Sequence, residues 1–244
     1  MINVAPFRKE NLTTKFVSVY FLIAFVEIIA EYFNDVFFIS ISKSLLMPLL
    51  MLVYWSASKK INYTFILSLA ALWVADLFFM SNTMNSIIIG SLFSLTYQLL
   101  IIYMVFKMIK FPGYIPMIIG ALPFLFFYVI VATITYDILG ITFGLFIIQG
   151  LVTIFFGGCC LGNYFIKSNT SNTLLLISSI LFTATQFILI IKIYYIKFSI
   201  FQPIAMLFFV VAQFLLYKFL LHEEKKLKRY LIINRFKNAE LEQS

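Results

Sequence analysis

Four ionisable side chains stand inside long apolar runs: Glu27, Glu31, Lys43 and Asp76. Asp76 is the single acid in ALWVADLFFM, residues 71–80. Placing a charged group near the middle of a membrane-spanning helix costs about 2.5–3.5 kcal/mol, so such residues mark a pathway, a site or a structural pair. These types suit a polar functional cavity. They equally suit pairing, with Glu27 and Lys43 neutralising one another, and the residues alone leave both readings open. Counted along their helices at about 1.5 Å per residue, Glu27, Lys43 and Asp76 fall roughly 6–9 Å inside the same membrane boundary. Glu31 lies one turn above Glu27 on the same face.

Neutral polar residues join them. Ser179, Thr183 and Gln186 recur at i, i+4 and i+7 and therefore share one helix face, as do Ser91, Ser94 and Gln98 at i, i+3 and i+7. Gln98 and Gln213 fall deeper. A cavity opening toward one half of the membrane is one expectation. Interhelical hydrogen-bonding contacts are the other, and Ala71/Ala75, Gly140/Gly144 and Gly158/Gly162 have the spacing of close helix contacts.

The elements that must position these groups follow from composition. The chain has 244 residues, 63% of them hydrophobic and 11% charged. A soluble domain carries about 45–50% apolar and about 25% charged residues, which sets this chain apart. The apolar residues come in runs of roughly 20, the length of a helix crossing a hydrocarbon core about 30 Å thick. The alternating segments of about ten residues that mark an outer-membrane barrel are missing from the sequence. The expected fold is all-α, a polytopic integral membrane bundle of about eight transmembrane helices. The spans fall at about 15–33, 37–57, 61–80, 86–106, 114–134, 140–166, 173–192 and 199–221. Residues 1–14 then form a cytoplasmic N-terminus, 15–221 one eight-helix domain, and 222–244 a basic cytoplasmic tail. Short connections make sequential helices antiparallel neighbours. The first run has a basic flank but contains Glu27 and lacks a small-residue cleavage site, so it reads as a retained helix.

Net charge is +8. The cations gather where membrane topology puts them, so they do not call for nucleic acid. Fifteen Lys and Arg lie on the side of the termini and of the loops holding Lys59, Lys60, Lys107, Lys110 and Lys167. Lys192 and Lys197 lie on the other. Positive-inside counting places both termini in the cytoplasm, in the plasma (inner) membrane if the source is bacterial. The tail, HEEKKLKRY and onward, reads as an anchor for anionic headgroups. Cys159 and Cys160 are adjacent within an apolar run and read as small apolar residues. His222 stands alone. No metal or haem spacing occurs, and no cofactor is expected.

Read in order, several segments resemble the YhhN-like family, whose characterised members are lysoplasmalogenases. KSLLMPLL, ADLFFM, GSLFSLTYQ, LFTATQFIL and FFVVAQFLL stand where the family has its short motifs on helices 2, 3, 4, 7 and 8. Lys43, Asp76, Gly90, Phe93, Ala212 and Gln213 keep the family's residues. Ser44 and Ala75 depart from it, Gln98 replaces a histidine, and Gln186 replaces an aspartate.

The resemblance implies cleavage of the vinyl-ether bond of a lysophospholipid at an intramembrane acidic site. That chemistry delivers a proton to carbon and then needs a negative charge and an activated water. A desolvated carboxyl suits the first task, and a second carboxylate suits the others, as in glycoside hydrolysis. Asp76 and Glu27 are the candidate catalytic pair, with Glu31 the other candidate for the lost acid. Lys43, Gln186, Gln98 and Gln213 are candidates for substrate binding or support, with Lys43 directed at a phosphate or a carboxylate. Gln186 can orient a water but is no useful base. The implied partners are a lysophospholipid or related membrane lipid and the bilayer. A lipid-binding relative without catalysis is a second reading, and a small transporter a third. The motif-bearing helices show no convincing internal repeat, which counts against the transporter.

Overall fold

The structure, a computed structural model, describes residues 5–81, 83–194 and 200–241. Lys197 and the first residue of the 199–221 run lie outside the described residues, as do the two chain ends at 1–4 and 242–244. The architecture is the expected helical bundle. Its helices are α1 (Ala5–Phe33), α2 (Val36–Ala57), α3 (Tyr63–Phe79), α4 (Met84–Met108), α5 (Tyr114–Leu139), α6 (Phe143–Ile166), α7 (Thr170–Tyr194) and α8 (Phe201–Leu241). Among the described residues, seven helices are long and apolar enough to cross a membrane, which makes this an integral multi-pass membrane protein. The shorter apolar helix is α3, with 17 residues. At about 1.5 Å per residue it covers roughly 25 Å.

Local chemistry sets the helix ends. Asn34 adopts a left-handed backbone (φ 57°) and ends α1. The Asp35 N–H then donates to the Ala30 carbonyl across 2.9 Å, closing the last turn as left-handed C-terminal motifs do. Asp35 at once caps α2, its Oδ1 accepting from the N–H groups of Phe37 (3.1 Å) and Phe38 (3.3 Å). Two residues therefore reverse the chain. Asn62 caps α3 and Thr83 caps α4 in the same manner.

Packing follows sequence order with one departure. Consecutive helices lie side by side from α1 to α4 and from α5 to α8, and α8 returns to pack on α1. The expectation that α4 and α5 are neighbours fails, because α4 rests on α6. Two features of the chain bear on this. Gly113, with φ 89° after Pro112, puts a turn in the connection that residues with side chains rarely adopt. A small-residue seam then commits α5 to α6: a Cβ on Gly120 would come within 2.6 Å of the Gly158 carbonyl oxygen. Gly158 and Gly162 thus make the close contact that their spacing announces. Gly140 and Gly144 do not, since a Cβ on either would meet nothing within 4 Å. Gly140 instead opens a single 3-10 turn, Gly140–Thr142, ahead of α6.

The main core joins α1–α4 with α6–α8 through side chains such as Tyr20, Leu50, Tyr54, Phe65, Met104, Leu175 and Leu216. Its axis is α8, half of whose most apolar stretch is buried against 22–39% in the other six spans. The α8 helix runs unbroken past its apolar part through the basic segment to Leu241.

Candidate functional site

The α1 helix buries one stripe: Tyr20, Ala24, Glu27 and Glu31, at i, i+4, i+7 and i+11. Glu27 is fully buried, and neither of its carboxylate oxygens has a hydrogen-bond partner. Unpaired acids in such surroundings are costly, which makes this the most unusual side chain of the described bundle.

Lys43 reaches the same stripe but pairs with Glu31, at 2.6 Å between Nζ and Oε1. The pairing with Glu27 considered from sequence is not formed. Helix geometry gives the reason. Across the two-residue turn, Glu27 and Lys43 lie at nearly equal heights. Helical side chains lean toward the N-terminus of their own helix. The Lys43 side chain therefore leans up toward the Asn34–Asp35 turn, and that of Glu31 leans down away from it. The two close an axial gap of about 7 Å. From α8, Gln202 Nε2 donates to Glu31 Oε1 at 3.3 Å, so the ion pair ties three helices together.

Asp76 comes in from α3. Its placement depends on Pro48, which has no N–H to give the Ser44 carbonyl four residues earlier. The Trp73 indole N–H fills that position at 2.9 Å and fixes α3 against α2 beside Lys43. Asp76, three residues after Trp73, follows onto this side of α3. Glu27 lies within electrostatic reach of Lys43, Asp76 and Glu31, and Asp76 within reach of Lys43. Asp76 is half-buried, and among the described residues its carboxylate has no hydrogen-bond donor.

A second tier lies deeper. Gln213 Nε2 donates to the Tyr97 hydroxyl at 3.0 Å, and Tyr97 is in electrostatic reach of Asp76 and of Tyr20. The Tyr20 hydroxyl donates to the Val210 carbonyl at 3.2 Å. The Gln213 Oε1 and the Gln98 Oε1 are buried without a partner.

Gln186 belongs to another neighbourhood. Its Oε1 accepts from the Thr153 hydroxyl of α6 at 3.2 Å, close to Gln149, which donates to the Ser91 carbonyl at 2.8 Å. Ser179 and Thr183, on the same face, bond back to their own helix. The structure thus brings Glu27, Glu31, Lys43 and Asp76 together, sets Gln213 with Tyr97 beneath them, and leaves Gln186 on the α6 side. Sequence reasoning passed over Tyr20, Tyr97 and Gln202. Tyr20 was legible seven residues before Glu27 on one face. Tyr97 and Gln202 carried no such signal, because their partners lie 116 and 171 residues away.

The other end of the bundle holds a second polar cluster. Glu224 accepts from the Tyr54 hydroxyl at 2.7 Å and from Ser58 Oγ at 2.8 Å. Ser171 Oγ lies 2.7 Å from His222 Nδ1 and donates to Glu223, which also pairs with Lys226 at 3.2 Å. Serine, histidine and glutamate here do not form a hydrolytic relay. The acid bonds the serine and not the imidazole, which it would have to orient. Among the described residues, no three His, Cys, Asp or Glu side chains gather as a metal-binding group.

Comparison with known protein families, with curated proteins and with solved structures returned no match to this chain.

Proposed function

We propose that this protein is a membrane ether hydrolase of the YhhN-like type, acting on the vinyl-ether bond of a lysophospholipid. The observation that supports it is the meeting of Asp76 and Glu27 within electrostatic reach of each other, with both Glu27 oxygens unpartnered. In this reading Asp76, the half-buried acid, gives a proton to the outer carbon of the vinyl ether. The oxygen-bearing carbon becomes an oxocarbenium ion, stabilised by the carboxylate of Glu27. Water adds to that carbon and loses a proton to the carboxylate. The hemiacetal then splits into a fatty aldehyde and a glycerophospho-alcohol. Lys43 is held by Glu31 and acts here as a counter-charge.

The test is aldehyde release from a lysoplasmalogen by purified protein. Wild type releases aldehyde and Asp76→Asn does not. Well-folded wild type that releases none ends this reading for that lipid. A non-catalytic lipid-binding relative is the second reading. The observation favouring it is that Gln186, which the resemblance sets where the family has its second aspartate, bonds Thr153 of α6. It predicts co-purifying lipid without turnover.

A further inference from the structure

Hydrolysis consumes a water at Glu27, yet Glu27 is fully buried. One turn above it on the same face of α1 stands Glu31, tied to Lys43 of α2 and Gln202 of α8. This three-helix contact lies between Glu27 and the end of the bundle at which α1 turns into α2. The Lys43 side chain is 20% exposed and that of Glu31 5%, so the ion pair straddles the boundary between outside and inside.

We propose that the Glu31–Lys43–Gln202 contact is a latch that closes the Glu27 site, and that parting the ion pair admits water to Glu27. The inference rests on the reading of Glu27 as a member of the reacting pair, but its test does not require turnover. The parts are suited to opening. Lys43 is within electrostatic reach of Asp76 and Glu27, so on leaving Glu31 it keeps a counter-charge. Glu31 lies three residues from the Asn34 turn and can swing toward that end of the bundle. The Gln202 bond, at 3.3 Å, is long for a charge-assisted contact and yields readily.

The experiment is carboxyl labelling of the full chain in detergent micelles, using a water-soluble carbodiimide with glycinamide, read by mass spectrometry. The exposed Asp137 serves as the internal standard. In wild type, Glu27 is labelled far less than Asp137. Glu31→Gln and Lys43→Met each raise Glu27 labelling several-fold, and Lys43→Arg, which preserves the pair, leaves it at the wild-type level. Gln202→Leu removes only the α8 arm and gives a smaller rise. The proposal is overturned if Glu27 is labelled equally in wild type, Glu31→Gln and Lys43→Met, or if wild-type Glu27 is labelled as readily as Asp137. Monodisperse elution of each variant confirms that labelling reports the latch and not unfolding. Protein that releases no aldehyde but shows the rise loses the hydrolase reading and keeps the latch. Protein that releases aldehyde without the rise loses the latch alone.

Discussion

The two ends of this bundle handle buried acids in opposite ways. Where α8 leaves the core, Glu223 and Glu224 are fully engaged, by Ser171 and Lys226 and by Tyr54 and Ser58. Near the α1–α2 turn, Glu31 is engaged but Glu27 has no partner and Asp76 no donor among the described residues. A satisfied polar cluster holds elements in place, because losing a partner strands a buried group. An unsatisfied one adds little to stability and is the better candidate for chemistry. The comparison separates a clasp from a candidate site without appeal to any relative.

Four substitutions test that separation. Asp76→Asn has the largest expected effect on the proposed hydrolysis: loss of aldehyde release by at least about 100-fold, the usual scale of a proton-transfer contribution, with unchanged thermal stability. If the variant instead fails to fold, Asp76 belongs with the clasp. Glu224→Ala leaves the Tyr54 hydroxyl proton without its acceptor and should destabilise the protein by about 1–3 kcal/mol, seen as a lower melting temperature in detergent. An unchanged melting temperature would remove the clasp from the comparison. Trp73→Phe frees the Ser44 carbonyl and should cost about 1 kcal/mol, together with a partial loss of activity as Asp76 loses its register. Glu27→Gln sharpens the contrast most, by having the smallest effect on stability. Because that acid holds no partner, the melting temperature should stay the same or rise while activity is lost. A large destabilisation would show Glu27 to be a structural group.

How much of this could be read from the chain itself differs between the two ends. The helices were legible because long apolar runs admit little else; their starts were less so, since the caps at Asn62 and Thr83 set them at Tyr63 and Met84, two residues from the expected 61 and 86. The four charged residues stood out because hydrocarbon makes them expensive. Lys43 had two acids within reach, and its choice of Glu31 depends on the lean of helical side chains across a two-residue turn, which no spacing rule encodes. The clasp was harder still. HEEKK looks like a solvated run, and only the return of α8 beside α2 and α7 brings Glu224 to Tyr54, 170 residues earlier. The continuation of α8 through the basic segment was hidden by the same change from apolar to charged residues.

The Asn34–Asp35 reversal has a consequence for how the chain enters a membrane. With only two residues between them, α1 and α2 have no room for a hydrophilic loop and must be integrated together as one hairpin. Glu31 and Lys43 would each oppose integration if threaded singly, by up to about 2.5–3.5 kcal/mol at the centre of a helix. Carried in side by side, they cross the headgroups as a neutral couple. The tight turn therefore bears on integration into the membrane as well as on the folded bundle.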